Sequence, residues 1–201
     1  MATVYIGRTD SIAVNAQGPL PPGQHETNRW PRLDLGVVPH ADLARWDLTV
    51  DGAVESPRKL SYDEVLRLPP TRVVADFHCV TGWSKLTNEW RGVSIRAIAD
   101  IVNPIPTARY VTFACDEGYT TSHPLDVLYD NDVLLAYNHD GQPLPAEHGG
   151  PLRLVVPKRY AYKSAKWVRR LKFTEKEELG YWEVRGYSNS ADPWTEDRYS
   201  Y

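Results

Sequence analysis

Cys79 and His78 stand side by side in VVADFHCVTGWSKLTNEWRGVSI, with Trp83 and Trp90 just downstream. A cysteine that closes an apolar run and opens a segment of small and polar residues sits at the end of a strand. There its sulfur can meet something outside the sheet. Three roles are open to it. It can be a packed core thiol, since free cysteine is among the most buried residue types. It can be a nucleophile if a base is near, or a soft ligand for a metal. The chain has six histidines, but any cysteine with any histidine satisfies the nucleophile pattern. Adjacent side chains on a regular strand point to opposite faces, so His78 can pair with Cys79 only if the strand has already ended.

The elements that must position this thiol read as follows. Residues 1–38 are rich in Pro, Gly and polar groups and are expected to form an extended N-terminal arm; residues 39–201 form the domain proper. Trp46 to Val54 reads as a strand and turn, with Asp51-Gly52 as the turn signal. Ser61 and Glu64 fit a capping box for a short helix through Val65 and Leu68, which Pro69-Pro70 stops. Arg72 to Phe77 is the strand that delivers Cys79. Ser94 caps a second helix with Ile95, Ile98, Ala99 and Val102 at helical spacing. Tyr110 to Cys115 alternates, which puts Val111, Phe113 and Cys115 on one face and makes Cys115 a core thiol. Asp132 to Tyr137, Pro151 to Val156 and Trp167 to Phe173 are further strands. Many short strands with two or three short helices predict an α+β domain with a mixed sheet.

Composition narrows the function classes. With 201 residues the chain supports one sizeable domain. A net charge of −3 gives no footprint for nucleic acid or an anionic membrane. No apolar run approaches the roughly 20 residues of a membrane span. The N-terminus MATVYIGRTDSIAVNAQG has no basic segment followed by an apolar stretch, so a cytoplasmic location is the expectation. Two cysteines are too few for a disulfide framework. There is no dinucleotide fingerprint, P-loop, HExxH helix, CxxC pair, GxSxG elbow or CxxCH haem motif.

Four segments in order tie the rest together: HCVTGWS followed by WRGVSI; DEGYTTSHPL; LLAYNHDGQPLPAEHGGPLRLVVP; and RYAYKSAKWVRRLKF followed by GYWEVRGYS. In order and spacing they resemble the molybdopterin-binding domain of the sulfite oxidase superfamily, over roughly Asp34 to Tyr187. Within it the chain is similar to the small, single-domain bacterial branch and to the catalytic subunit of the periplasmic methionine sulfoxide reductase. The matching segments include neither the haem and immunoglobulin-like domains of animal sulfite oxidase nor the reductase's twin-arginine signal, so neither substrate carries over.

The resemblance implies a single sulfite oxidase-type fold and a molybdenum–molybdopterin cofactor. It makes Cys79 the catalytic thiolate ligand of the metal, with two further sulfurs from the pterin dithiolene. It places Arg153 of HGGPLR and Lys166 of KSAKW on the cofactor's phosphate, with Ser164 donating from the same loop. His148, where the periplasmic reductase has an asparagine, would hydrogen-bond the pterin, and His78 would contact the pterin or the dithiolene. Gly149 and Gly150 would let the backbone come close. Lys163 and Arg159 are weaker candidates for the same positive pocket. Asp116, Tyr119 and Thr120 are candidates for lining the substrate cavity, and Lys85 and Arg91 for attracting an anion. The implied activity is two-electron oxygen-atom transfer on a small oxyanion or S-oxide, with electrons exchanged with a separate haem or flavin protein. The alternative is a protein that holds or carries molybdopterin without turnover. Oligomeric state is left unassigned.

Overall fold

The computed structural model describes residues 12–14 and 20–200. The remainder of the expected arm, residues 1–11 and 15–19, lies outside the described residues. In chain order the elements are β1 (Ile12–Val14), β2 (His25–Glu26), β3 (Asp47–Gly52), β4 (Arg58–Ser61), α1 (Tyr62–Arg67), β5 (Pro70–His78), β6 (Trp83–Ser94), α2 (Ile95–Val102) and β7 (Tyr110–Cys115). They continue as β8 (Thr120–Pro124), α3 (Leu125–Leu128), β9 (Leu134–His139), β10 (Gln142–Pro143), β11 (Arg153–Val155) and β12 (Val168–Thr174).

These strands make two mixed sheets, as the α+β reading expects. One runs β1-β5-β6-β9-β10, with β11 added to β9 and β2 to β6; the other runs β4-β3-β12-β7-β8. In the second, β12 lies parallel to β3 and antiparallel to β7. The main core lies where apolar faces of both sheets meet the helices, with Leu48, Val50, Phe113 and Leu171 packed with Val93, Leu135 and Leu154. Into it α2 inserts Ile95, Ile98 and Val102, all fully buried. Cys115 belongs to this core. Local signals place α1 and α2. The Ser61 hydroxyl accepts from Glu64 N–H while the Glu64 carboxylate accepts from Ser61 N–H, a complete capping box. Ser94 caps α2. Among the described residues no helix is long and apolar enough to cross a membrane.

Several strands go beyond the sequence reading: β1 and β2 in the expected arm, β4 and β10, and the longer β6 and β8. The segment after Cys79, read as a turn of small and polar residues, is a tight turn followed by the twelve-residue strand β6. DEGYTTSHPL, to which the sequence reading gave no strand, contains β8. Both bury polar side chains whose partners lie elsewhere in the chain. In β6, Asn88 is fully buried and donates to the carbonyls of Ala75 and Lys85. In β8, the Thr121 hydroxyl donates to Glu183 and the His123 ring meets the Lys163 carbonyl.

The strongest of these polar contacts is a buried ion pair. Lys163 Nζ lies 2.5 Å from Glu183 Oε1, with both side chains wholly removed from solvent, and also donates to the Ser122 carbonyl. Lys163, a weak candidate for the positive pocket, is therefore committed to structure. It ties the loop before β12 to the C-terminal segment and to β8. Removing one member leaves the other charge buried and unpaired. Lys163→Met is expected to cost roughly 3–5 kcal/mol in urea unfolding, and Lys163→Met/Glu183→Leu to recover most of that loss.

Candidate functional site

The β5–β6 hairpin turns at Cys79–Gly82. Gly82 N–H donates to the Cys79 carbonyl at 3.0 Å, and Cys79 N–H donates to the Trp83 carbonyl at 2.8 Å. The Cys79 side chain lines a cavity of about 330 Å³. The Thr81 hydroxyl donates to its sulfur at 3.1 Å. Burial pushes the thiol pKa up, while the Thr81 hydrogen bond and the charge of Arg198 pull against that shift. Among the described residues no imidazole hydrogen-bonds the sulfur, so the nucleophile reading lacks its base.

His78 is turned away from this cavity. Strand β5 runs through His78, so alternation still holds there: Phe77 and Cys79 join one apolar cluster and His78 points to the other face. There its Nδ1 lies 2.7 Å from the Ser84 hydroxyl and its ring meets the edge of Trp194. His78 is not among the residues that line the cavity with Cys79.

Arg153, Lys166, His148 and Ser164 all line the cavity with Cys79. Arg153 opens β11 and is only 3% exposed. Its guanidinium donates to the carbonyls of His148 at 2.8 Å and Ser164 at 3.0 Å. It lies over the faces of Trp30, Phe77 and Trp90. Among the described residues no carboxylate forms an ion pair with it. Burial alone lowers its pKa to about 9, so it keeps its charge at neutral pH. Lys166 Nζ sits 4.3 Å from the Trp167 ring centroid and 3.7 Å from Asp34. Burial, and then repulsion from Arg153, hold its pKa down to about 8.

His148 closes a 3-10 turn at Ala146–His148, and its ring stacks flat on Trp30 with centroids 3.8 Å apart. Desolvation and the nearby Arg153 hold its pKa down to about 4, so at pH 7 it is a neutral hydrogen-bonding ring. The Ser164 hydroxyl accepts from Val156 N–H at 2.9 Å, which leaves its own proton for a ligand. Gly149 has φ +106, and a Cβ there would fall 3.0 Å from Arg153 Cβ and from Lys166 Cβ and Cγ. Only glycine lets the backbone pass between the two cationic side chains.

Other expectations divide. Tyr119 lines the cavity, its hydroxyl donating to the Tyr162 carbonyl. Asp116 lines a separate, open cleft with Arg169 and Trp46. Lys85 is held by Asn88 and Asp140, and Arg159 lies 4.0 Å from Asp192. Sequence reasoning missed Trp30, Arg32 and Asp34 of the arm, and Trp182 and Tyr187 of GYWEVRGYS. A lone tryptophan in a polar, proline-rich segment was the available signal for the first group.

Among the described residues no three His, Cys, Asp or Glu side chains could seat a metal ion together. Cys79 offers one soft donor, so a metal here has to arrive on an organic ligand that supplies the others. A buried guanidinium without a carboxylate suits an anionic substituent on that ligand. The flat neutral ring of His148, the Trp30 face and the side-chain-free path at Gly149 suit a planar heterocycle. The residues present therefore fit a phosphorylated pterin dithiolene.

The model of the oxidoreductase molybdopterin binding domain matches residues 35–182. An uncharacterized oxidoreductase of Bacillus subtilis is 42% identical over 199 residues, which are 98% of this chain and 100% of that protein. A putative protein-methionine-sulfoxide reductase subunit of Azospira oryzae is 34% identical over 151 residues, 75% of this chain and 57% of that protein. Among solved structures, the sulfane dehydrogenase SoxCD from Paracoccus pantotrophus matches with a TM-score of 0.65 at 25% identity, covering 69% of this chain and 40% of that one. The chain thus spans the whole of the Bacillus protein but only part of the other two.

The depressed pKa of His148 has a consequence for stability. The unfolded imidazole takes up its proton below about 6.5, whereas the folded one resists until about 4. The unfolded state therefore binds more protons across that window, and stability falls as pH is lowered through it. His148→Gln should flatten this loss when unfolding midpoints of cofactor-free protein are compared at pH 7 and pH 5. His139, also held down to about 4, keeps part of the slope.

Proposed function

The chain belongs to the oxidoreductase molybdopterin-binding domain family, and from that premise, a molybdopterin-dependent oxidoreductase, we propose that it catalyses two-electron oxygen-atom transfer on a small S-oxide or oxyanion. Electrons are exchanged with a separate haem or flavin protein. The observation that carries the reading is the pairing, in one cavity, of the Cys79 sulfur with the buried Arg153 charge that no carboxylate among the described residues neutralises.

Cys79 is the protein's ligand to the metal; its sulfur faces the cavity and already accepts a hydrogen bond that favours the thiolate. Arg153 and Lys166 hold the pterin's phosphate. Arg153 does so with a guanidinium already oriented by two carbonyls, Lys166 as a point charge. Neutral His148 hydrogen-bonds the pterin, and Ser164 donates its hydroxyl proton beside it. When bound, the cofactor supplies the two-electron redox change and the oxygen-atom exchange, while the protein orients it and excludes water. Trp83, Tyr119, Tyr162 and Trp182 wall the cavity and leave mostly apolar surface beside the reacting centre. The methionine-sulfoxide reductase subunit and the sulfane dehydrogenase among the similar proteins support a sulfur-centred substrate. Reduction of an S-oxide consumes two electrons and two protons and yields the thioether and water. With two cysteines, this sequence falls short of the four thiolates common to iron–sulfur clusters, which favours an external electron carrier.

The test uses protein made in a host that synthesises molybdopterin. Molybdenum and pterin should co-purify with the wild type, and a dye-linked assay should turn over an S-oxide or a sulfur oxyanion. Cys79→Ala should bring that activity to background; unchanged activity would sink the ligand assignment. Bound cofactor with no turnover on either substrate class would favour a carrier instead. Arg153→Met removes charged hydrogen bonds worth about 1.5–3 kcal/mol, so pterin retention after gel filtration should weaken by roughly 10- to 100-fold.

A further inference from the structure

The turn that presents Cys79 is held from outside its own hairpin. The Cys79 carbonyl accepts from Gln24 Nε2 at 3.1 Å. The Gly82 carbonyl accepts from His25 N–H at 2.9 Å. The Val80 carbonyl accepts from Arg198 Nη1, a contact that spans 118 positions of sequence. All three donors lie outside the residues 35–182 that the family model matches. Every carbonyl of the turn that is held from a distance is thus held by segments flanking the family domain.

Arg198 is itself fixed. Its guanidinium lies 5.1 Å from the Tyr160 ring centroid, and its carbonyl accepts from Ser188 N–H at 3.1 Å. Its Nη2 lies 3.5 Å from Glu196, whose backbone takes a left-handed conformation at φ +53. The arm passes directly over this contact at Gly23, where a Cβ would fall 2.7 Å from Glu196 Oε1 and 3.3 Å from Arg198 Nη2. These neighbours are the ends of flexible side chains that can shift, so it is the φ of +68 that favours glycine there.

We propose that Arg198 is a positioning residue for the Cys79 turn: by holding the Val80 carbonyl it fixes the direction from which the Cys79 sulfur meets the metal. The inference rests on Cys79 being the metal's protein ligand. Mutating an outer group that orients a metal ligand typically costs about 10- to 100-fold in metal affinity or activity. Arg198 does not line the cavity, so it acts through the turn and through its charge on the Cys79 sulfur rather than through contact with cofactor or substrate.

The experiment compares wild type, Arg198→Gln, Arg198→Lys and Cys79→Ala, all purified with cofactor. Four quantities are read: molybdenum and pterin per protein, the thiolate-to-metal charge-transfer absorption, the paramagnetic resonance of the half-reduced centre, and the thermal midpoint. Arg198→Gln should keep its pterin, because the Arg153–Lys166 end is untouched. Its charge-transfer band should shift and its resonance broaden, with kcat lowered roughly tenfold and KM nearly constant. Arg198→Lys, whose side chain, longer than that of glutamine, brings a charged donor back within reach of the same carbonyl, should recover part of the signal. An unchanged band and kcat in folded Arg198→Gln would overturn the proposal. So would a loss of kcat with a wild-type band. If Arg198→Gln does not purify, Arg198→Met, which keeps the packing over Tyr160, is judged by the same outcomes. A wild type without molybdenum, or a Cys79→Ala protein that keeps the band, would instead count against the ligand assignment.

Discussion

A guanidinium removed from water without a counter-charge is the constraint around which this domain is arranged. Even after relaxation, burying an ion costs several kcal/mol, and Arg153 is 3% exposed with no carboxylate in contact among the described residues. The fold offsets that cost in two ways. Carbonyl dipoles of His148 and Ser164 accept from the two arms of the fork, and the faces of Trp30, Phe77 and Trp90 surround the cation. Neither supplies a negative charge. An anionic group in the cavity would complete what the described residues leave open, as the proposed function requires.

The same bonds give the cavity its shape. Holding the His148 carbonyl fixes the turn that leads into Gly149, and holding the Ser164 carbonyl fixes the loop that leads to Lys166. Phe77 and Trp90, which face the guanidinium, belong to the small apolar cluster that contains Cys79. The proposed metal ligand and the proposed anion site are therefore parts of one packed unit rather than separate patches. Around it, polar side chains are buried in numbers that would destabilise the domain if left unpartnered. Lys163 with Glu183, Thr121 and the Ser122 carbonyl answers that demand on one side. Gln24, Ser84 and His78 answer it on the other.

How much of this can be read along the chain depends on the range of the physics involved. β7 was legible because Val111, Phe113 and Cys115 alternate, and α2 because Ile95, Ile98 and Val102 repeat at helical spacing below a serine cap. These signals are local and need no partner. β6 and β8 were not legible: Asn88, Thr121, Ser122 and His123 are buried polar residues, and burial of such groups depends on partners far off in sequence. His78 shows the same division. Alternation already stated the condition under which it would meet Cys79, and only the observed end of β5 could say that the condition fails.

The capping signals and the alternating strands made the α+β class readable from residue types and spacing; the ordered motifs carried the family resemblance, and that resemblance pointed to Cys79, His148, Arg153, Ser164 and Lys166, which the fold brings to one cavity. Convergence was not readable. Trp30 from the arm stacks on His148, and Arg198 from the far end of the chain holds the turn beside Cys79. Contacts of this kind obey no periodicity, since they come from irregular segments whose course is set by the surfaces they cover. A residue type states which interactions it can make, and chain topology determines which partners come within reach.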